Sequence, residues 1–317
     1  MRLIINIPAF NEEAVIGKTI LNIPRHYAGI DEVLIQVVDD GSRDQTASVA
    51  REAGADFVLL HGINRKLGVM FATASENALK AGADIMVNID ADGQFDAQEI
   101  QLLINPILEK RADMVVGDRF SQSSAHNIPW IKDFFNRLGA SMVGSFLNVK
   151  TNDLTCGFRA HSRETLLRLN APTGFTYTQE TIIDAIGKNL RVVWIPIHVT
   201  YFADRKSKIV KSVSSFVGNS ARIILKAVRD VRPMKFFGVP AFVLIVLAFI
   251  GFALFLIQYF ASGLKVTPYL NYLLISSVTF IIGIQLLIFA FIADMIKSSR
   301  MLTEDLMYQL KKERYQK

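Results

Sequence analysis

Cysteine is almost absent from this 317-residue sequence, which contains only Cys156. A single thiol excludes an internal disulfide framework and a zinc site built from several cysteines. Neither Gly-x-Gly-x-x-Gly nor a Walker lysine loop follows the first predicted strand, which excludes a dinucleotide-binding domain and a P-loop nucleotidase. The high hydrophobic content, 51% of all residues, excludes a disordered chain.

Charge is absent from two long stretches near the C-terminus. No Asp, Glu, Lys or Arg occurs between Lys235 and Lys265, or between Lys265 and Asp294. Each stretch exceeds the roughly 20 apolar residues that a helix needs to cross the hydrocarbon core of a membrane. We therefore predict transmembrane helices near residues 236–260 and 269–293, and the alternative is a buried helical hairpin of a soluble protein.

The formal net charge of +6 is unevenly distributed. Residues 1–210 carry 22 basic and 24 acidic side chains, so this part has no positive excess for binding nucleic acid. Residues 211–235 carry six basic side chains and one acidic side chain, and more Lys and Arg follow position 294. Because Lys and Arg accumulate on the cytoplasmic side, we expect a multi-pass protein of the cell (plasma or inner) membrane, with the first 210 residues in the cytoplasm.

Apolar residues at helical spacing over residues 212–231 are flanked by Arg222 and Lys226 on other faces. This pattern predicts an amphipathic helix at the surface of an anionic membrane, and a helix packed on the soluble domain is the alternative. We therefore divide the chain into a domain at 1–210, a basic interfacial helix at 211–235, a transmembrane hairpin at 236–293 and a cytoplasmic tail at 294–317.

Short apolar runs alternate with helical patterns over the first 120 residues. The apolar runs predict strands at 3–7, 33–38, 57–60, 85–89 and 114–116. Helical periodicity predicts helices at 12–21, 44–53, 69–81 and 97–109. Strands that alternate with helices predict an α/β fold with a mostly parallel sheet and helices on both faces. Ligands of such sheets bind beyond the carboxyl ends of the strands.

Polar motifs stand at the ends of three predicted strands: Pro8-Ala9-Phe10-Asn11-Glu12, Asp39-Asp40-Gly41-Ser42 and Asp90-Ala91-Asp92-Gly93-Gln94. Two carboxylates two residues apart at the end of a strand can face one cation. Hard oxygen ligands suit Mg²⁺ or Mn²⁺, which usually bind substrate phosphates as well. We expect Asp90 and Asp92 to bind such a metal, with the amide oxygen of Gln94 as a third ligand.

These motifs resemble those of the family 2 glycosyltransferases, which have the Rossmann-like GT-A fold. Four further motifs are similar to those of the polyprenyl-phosphate glycosyltransferases, the dolichol-phosphate mannose synthase group: Gly117-Asp118-Arg119-Phe120, Asn136-Arg137-Leu138-Gly139, Asp153-Leu154-Thr155-Cys156-Gly157-Phe158-Arg159 and Arg205-Lys206-Ser207-Lys208. The resemblance covers roughly residues 1–210. Phe10, Gly93, Phe95 and the stretch at Lys66 depart from the family pattern, which leaves the donor sugar open.

The resemblance implies a role for each matching residue. The nucleotide pocket would be lined by Pro8, Asn11, Glu12, Asp39 and Asp40. The donor phosphates would be contacted by Arg205, Ser207 and Lys208. The lipid phosphate would be bound by Arg119, Arg137 and Ser141. The residues that carry catalysis would be Asp90, Asp92, Arg119 and Arg137.

The activity that the resemblance implies is transfer of a hexose, with inversion, from a UDP-glucose or GDP-mannose type donor to a polyprenyl phosphate. A divalent cation and basic side chains would stabilise the leaving diphosphate. A phosphate acceptor is already ionised at neutral pH and needs no general base. This agrees with the five histidines, none of which lies in a core motif. The expected partners are the donor, the lipid and the membrane, with homo-oligomer formation left open.

Two alternatives remain. One is a glycosyltransferase that acts on a hydroxyl-bearing glycolipid, which would need a general base such as Glu180. The other is a non-enzymatic membrane scaffold that has the same fold. The intact pair of Asp90 and Asp92 argues against the scaffold, because a protein without a donor has no use for a metal site.

Overall fold

The computed structural model of the protein describes residues 1–120, 144, 153–170, 177–200, 218, 222, 225 and 228–316. The chain forms two compact units. The first, which we call the α/β unit, contains Met1–Ile224 together with Leu306–Lys317. The second, which we call the helical unit, contains Leu225–Asp305. The chain therefore leaves the α/β unit and returns to it at the C-terminus.

The α/β unit is built on a seven-stranded sheet in the order β3-β2-β1-β4-β6-β5-β7. Its strands are β1 (Arg2–Ala9), β2 (Glu32–Asp39), β3 (Phe57–Leu60), β4 (Ile85–Asn88), β5 (Met114–Asp118), β6 (Arg159–Ser162) and β7 (Val192–Pro196). Neighbouring strands are parallel except where β6 pairs with β4 and β5. The predicted mostly parallel α/β fold is thus confirmed, and the near-continuous burial of β1, β2 and β4 is typical of central strands covered on both faces.

The helices of this unit are α1 (Ile16–Leu21), α2 (Thr46–Glu52), α3 (Lys66–Lys80), α4 (Ile100–Leu108), α5 (Arg163–Arg168) and α6 (Thr178–Gly187). The first four lie where periodicity predicts helices, but α1 begins four positions later than residue 12. The reason is local: Asn11 has a left-handed φ of 53° and the backbone N–H groups of Val15 and Ile16 both bond to the Glu12 carbonyl. The intervening residues therefore form a turn.

The sequence analysis did not predict β6, α5, α6 or β7. β6 is the clearest case, since its sequence Arg-Ala-His-Ser has neither the alternation nor the apolar content of a strand. It nevertheless lies in the middle of the sheet, with Arg159 and His161 fully buried. A buried strand that carries two basic side chains lacks the sequence pattern of a strand, so it can be recognised only after the strands that pair with it, β4 and β5, are known.

The helical unit contains α7 (Pro233–Ala261) and most of α8 (Leu270–Arg314). Both helices are long and apolar enough to cross a membrane, and only 11% and 17% of their most apolar windows are buried. The two helices pack through small residues: a Cβ on Gly251 would lie against the Ser276 hydroxyl, and a Cβ on Gly283 would be 2.8 Å from Ile245 Cγ1. Of residues 211–235, predicted as an interfacial helix, the structure describes 218, 222, 225 and 228–235. All of these are helical except Arg232, and Pro233 already begins α7.

The second apolar helix is longer than the prediction of 269–293, because α8 continues to Arg314. Its last turns belong to the α/β unit and contact α5 through one helix face. The Tyr308 hydroxyl lies 3.1 Å from both carboxylate oxygens of Glu164, and Lys311 Nζ donates to the Leu169 carbonyl at 3.0 Å. Residues 308 and 311 are three apart and so share a face. Part of the predicted tail is therefore a packed element.

Candidate active site

The carboxyl ends of β1, β2 and β4 lie at one edge of the sheet, because these strands are parallel neighbours. In register, Ala9 pairs with Asp39 and Asn6 pairs with Asn88. The loops that follow these strands carry the three polar motifs, and the structure therefore brings them to the same edge. This is the edge where open α/β sheets bind ligands.

The loops after β1 and β2 are bonded to one another. The backbone N–H of Asn11 donates to Ser42 Oγ at 2.9 Å, and the Asn11 side-chain oxygen accepts from the Arg43 N–H at 2.9 Å. The N–H of Glu12 donates to Thr46 Oγ1 at 2.8 Å. Asn11 and Glu12 are thus held beside the Asp39-Asp40-Gly41-Ser42 turn, and Pro8 lies on β1 opposite Val38.

Asp39 and Asp40 are both buried but have different contacts. One oxygen of Asp39 accepts from the Ser42 N–H at 2.9 Å, which closes the turn. The Asp40 carboxylate accepts from the N–H groups of Arg65 (2.8 Å) and Lys66 (2.9 Å) and lies 2.9 Å from His61 Nδ1. Asp40 therefore fixes the 61–66 loop and the start of α3, so its effect on a ligand would pass through this loop.

The 61–66 loop approaches the Asp39-Asp40-Gly41-Ser42 turn closely. Gly41 has a φ of +77°, and a Cβ there would be 2.9 Å from the backbone carbon of Ile63. Only glycine fits such a position without moving the backbone. Lys66 also has a left-handed φ, of 71°, although it is not glycine. This conformation costs a non-glycine residue roughly 1 kcal/mol and places a lysine at the rim of the site.

Asp90 and Asp92 follow β4. Burial and the nearby Asp92 carboxylate raise the pKa of Asp90 to about 7, while Arg119 and Arg159 act in the opposite direction. The Asp90 carboxylate lies against Gly157, where a Cβ would be 2.9 Å from Asp90 Oδ1. One oxygen of Asp92 accepts from the backbone N–H of Gln94 at 3.1 Å, which orders the loop that carries all three predicted metal ligands.

These residues suit a divalent cation bound together with phosphates. Within the described part of the chain, no three His, Cys, Asp or Glu side chains form a closed metal site. Two carboxylates with an amide oxygen are instead the set that Mg²⁺ or Mn²⁺ uses when phosphates complete its coordination. A divalent cation would offset both causes that raise the pKa of Asp90, its burial and the nearby Asp92 carboxylate.

The chain that follows β7 is fastened to the loop that follows Asp92. The backbone N–H of Thr200 donates to the Gln94 carbonyl at 3.0 Å, and Phe95 pairs with Val199 in an antiparallel bridge. The Glu99 carboxylate accepts from the backbone N–H of His198 at 2.9 Å and lies 2.6 Å from its ring Nδ1. The backbone of Thr200 therefore lies next to the loop that carries the predicted metal ligands.

Arg119, predicted to bind the acceptor phosphate, follows β5. Its guanidinium contacts both oxygens of the fully buried Asp153, at 2.6 and 3.0 Å, and donates to Thr155 Oγ1 at 2.6 Å. Burial disfavours ionisation of Asp153, but Arg119 and the hydrogen bonds from Thr155 outweigh it and keep the pKa of this carboxyl below its ordinary value. Arg119 is thereby fixed in position, with its side chain still 14% exposed.

Five predicted site residues lie outside the described residues: Arg137, Ser141, Arg205, Ser207 and Lys208. Their roles remain predictions. The rival general base, Glu180, lies in the first turn of α6. Burial raises the pKa of the Cys156 thiol to about 12, so this cysteine is not a nucleophile at neutral pH.

Two residues to which the sequence analysis assigned no catalytic or binding role, Arg159 and Asn88, form hydrogen bonds that support the candidate site. Fully buried Arg159 donates to the backbone carbonyls of Cys156 (2.6 Å) and Thr178 (2.6 Å). Asn88 donates to the Tyr177 hydroxyl at 2.7 Å and to the Gly157 carbonyl at 3.3 Å. The signal available in the sequence was Asn88 itself, an amide inside the apolar run that leads to Asp90.

The chain is similar to a known protein family and to several known proteins. The model of glycosyl transferase family 2 matches residues 4–169. The chain is 29% identical over 209 residues to the polyprenol monophosphomannose synthase of Mycolicibacterium smegmatis, covering 63% of this chain and 77% of that protein. It is 30% identical over 216 residues to the UDP-N-acetylglucosamine–dolichyl-phosphate N-acetylglucosaminyltransferase of Methanococcus voltae, covering 62% and 84%.

Two further similarities extend the comparison. The chain is 25% identical over 229 residues to the undecaprenyl-phosphate mannosyltransferase of Micrococcus luteus, covering 69% of this chain and 91% of that protein. Among solved structures, it resembles glucosyl-3-phosphoglycerate synthase from Mycobacterium tuberculosis in complex with Mn²⁺, UDP and glucosyl-3-phosphoglycerate. That match has a TM-score of 0.56 and 20% identity and covers 73% of this chain and 79% of the other, so it supports the fold alone.

Proposed function

We propose that this chain, which belongs to glycosyl transferase family 2, transfers a hexose from a nucleotide diphosphate sugar to a polyprenyl phosphate at a membrane. The observation that carries the proposal is the edge of the sheet where Asp39, Asp90 and Asp92 meet, in a chain that also presents two long apolar helices. Three relatives named for polyprenyl- or dolichyl-phosphate acceptors support the same substrate class.

The donor diphosphate would lie between the metal loop and the basic segment after β7. Asp90, Asp92 and Gln94 would hold Mg²⁺ or Mn²⁺, and this cation would neutralise charge on the leaving diphosphate. Thr200 is bonded to Gln94, so Arg205, Ser207 and Lys208 follow within eight residues of the metal loop along the chain. Their positive charge would bind the same phosphates.

The nucleoside would lie beside the joined loops after β1 and β2. Pro8, Asn11, Glu12 and Asp39 offer backbone and side-chain groups at this place, where Asn11 and Ser42 are already bonded. Asp40 would act indirectly, because its carboxylate holds the N–H groups of Arg65 and Lys66. The 61–66 loop would thus form one wall of the nucleotide pocket.

The acceptor would be a phosphate monoester whose oxygen attacks the anomeric carbon directly, with inversion. Arg119 is held by Asp153 at the end of β5, so its guanidinium can orient a phosphate with little rearrangement. Arg137 and Ser141 would complete the phosphate site. Because the attacking oxygen is already anionic, no protein base is required.

The two apolar helices would anchor the enzyme as a multi-pass membrane protein. Their largely unburied apolar windows favour lipid as their environment over a soluble hairpin core. Basic residues at 211–235 would face the anionic cytoplasmic leaflet and place the α/β unit in the cytoplasm. Confinement near the headgroups would raise the effective concentration of a lipid-linked phosphate.

The test is a transfer assay with purified full-length protein in lipid nanodiscs. Labelled UDP- and GDP-sugars are offered with Mn²⁺ or Mg²⁺ and one of three acceptors: undecaprenyl phosphate, dolichyl phosphate or a hydroxyl-bearing diacylglycerol. We expect organic-phase product only with the polyprenyl phosphates and only with metal. Product with the diacylglycerol alone would contradict the proposal.

Asp92→Asn is the informative variant for this assay, because it removes a metal-binding charge while preserving shape. We expect turnover to fall at least about a hundredfold. Asp96→Asn is the matched control: Asp96 is exposed four residues away and caps the short helix at Ala97–Glu99, a role that asparagine also fulfils. Its activity should equal that of the wild type, and full activity in Asp92→Asn would exclude the metal assignment.

A further inference from the structure

We infer that Gly157 is a positioning residue whose missing side chain provides the space in which the Asp90 carboxylate is set for metal binding. The inference deepens the proposed function and rests on it. A Cβ on Gly157 would lie 2.9 Å from Asp90 Oδ1, 3.1 Å from Oδ2 and 3.3 Å from Cγ. These are the three nearest atoms, so the carboxylate is the first group that a side chain at position 157 would meet.

The φ of Gly157 does not itself require glycine. It is outside the left-handed region that Gly41 and Gly93 adopt, where a side chain would be strained. The atoms nearest to a Cβ at position 157 instead belong to the carboxylate of Asp90, 67 residues earlier in the chain.

The loop that carries Gly157 cannot easily move back to admit a methyl group. Asn88 donates to the Gly157 carbonyl at 3.3 Å and to the Tyr177 hydroxyl at 2.7 Å. Arg159 donates to the carbonyls of Cys156 (2.6 Å) and Leu154 (3.2 Å) on one side. The Gly157 carbonyl and the backbone on its N-terminal side are therefore bonded to buried side chains.

Arg159 also joins this loop to the start of α6. Its guanidinium donates to the Thr178 carbonyl at 2.6 Å and to Thr181 Oγ1 at 3.1 Å, and the side chain is fully buried. Displacing the loop would break hydrogen bonds of a buried cation, which costs more than moving one carboxylate. In a Gly157→Ala protein the group that yields would therefore be Asp90.

A shift of a few tenths of an ångström matters for a metal ligand. Metal–oxygen distances hold within about 0.2 Å, so a displaced Asp90 would bind the cation poorly while the rest of the site is unchanged. Loss of the residues that orient a metal ligand typically weakens metal affinity 10–100-fold. We expect Gly157→Ala to weaken Mn²⁺ binding about tenfold or more.

The experiment measures Mn²⁺ affinity by electron paramagnetic resonance in full-length protein saturated with UDP. Gly157→Ala should raise the Mn²⁺ dissociation constant about tenfold, with UDP binding in the absence of metal and the thermal unfolding temperature unchanged. Gly238→Ala is the matched control: Gly238 lies in α7, a Cβ there has nothing within 4 Å, and its Mn²⁺ affinity should equal that of the wild type.

Testing Gly157→Ala in a protein that already carries Asp90→Asn separates an effect on the position of Asp90 from a general effect on the fold. In an Asp90→Asn protein, Gly157→Ala should cause little further loss of Mn²⁺ affinity, because both changes act on the same ligand. Independent, additive losses would overturn the inference, as would an unchanged affinity in Gly157→Ala alone. If wild-type protein neither binds Mn²⁺ with UDP nor transfers sugar, the proposed function fails first, and the positioning role fails with it.

Discussion

His161 should make the α/β unit sensitive to mild acid. It lies on β6, its two ring nitrogens are buried without a hydrogen-bond partner among the described residues, and Phe71 packs 5.2 Å from its ring. Burial, and then the nearby positive charge of Arg159, lower its pKa from 6.5 to about 3. The folded protein therefore keeps this imidazole neutral over a pH range in which the unfolded chain binds a proton.

The sign and size of the effect follow from that difference in pKa. Stability is retained above pH 6.5 and lost as the pH falls toward 3, because only the unfolded chain takes up the proton in this interval. Lowering the pH from 7 to 5 should cost about 2 kcal/mol of unfolding free energy at this site. The raised pKa of Asp90 changes stability in the opposite direction as the pH falls. The contribution of His161 is therefore measured as a difference between wild type and variant.

The variants are His161→Leu and His161→Gln, studied by urea unfolding at pH 7 and pH 5. Trp194 lies on β7 of the α/β unit, where its ring N–H donates to the Asp153 carbonyl at 2.8 Å, so its fluorescence reports the unfolding of this unit. His161→Leu should be more stable than wild type by about 1 kcal/mol at pH 7, because it removes unpartnered buried polar atoms. Its advantage should grow by about 2 kcal/mol at pH 5.

His161→Gln is the matched control, since glutamine is polar but does not titrate. It should lack the stability gain at pH 7 yet share the shallower pH dependence of His161→Leu. Equal pH dependence in wild type and both variants would refute a buried neutral histidine. A wild type that gains stability relative to the variants at pH 5 would refute the direction of the pKa shift.

Three other changes test separate features. Lys66→Gly should stabilise the α/β unit by roughly 0.5 kcal/mol in urea unfolding, because glycine has no Cβ and adopts the left-handed φ of 71° without a steric clash. Tyr308→Phe should destabilise it by about 1 kcal/mol through loss of the hydroxyl contact with Glu164, and an unchanged unfolding midpoint would show that the C-terminal contact carries no energy. Gly283→Leu should separate α7 from α8, because a Cβ already meets Ile245 Cγ1 at 2.8 Å; faster proteolysis of the hairpin in detergent is the measurement.

The parts of the fold that were predictable from sequence are those where one physical signal dominates. β1, β2 and β4 are mostly apolar, with one buried amide each, and α/β alternation then implies parallel pairing and a ligand-binding edge. β6 was missed because tertiary hydrogen bonds, not apolar content, stabilise Arg159 in the core. The contact between the last turns of α8 and α5 was missed for a related reason, since Tyr308 and Lys311 bond there to residues 144 and 142 positions earlier in the sequence.

The residues of the candidate site also divide into those that could be proposed from the sequence and those that could not. Asp90 and Asp92 could be proposed from the sequence because metal binding would require carboxylates at a strand end, whereas the contacts of Asp40 and the space at Gly157 depend on segments distant in sequence. A contact between distant segments leaves no periodicity to detect. Residues whose proposed chemistry requires one residue type can therefore be predicted from the sequence. The residues that position them can be identified only from the fold.

One supporting feature did leave a trace in the sequence. Three adjacent strands each carry a single buried amide, Asn6, Gln36 and Asn88, and these residues pair with one another in register. Gln36 donates to Asn6 at 3.1 Å, and the chain of hydrogen bonds continues through Asn88 to the Tyr177 hydroxyl. A buried amide is tolerated only when it is bonded, so three apolar strands with one amide each imply a shared polar row. Because that row ends two residues before Asp90, it specifies the strand register on which the proposed metal site depends.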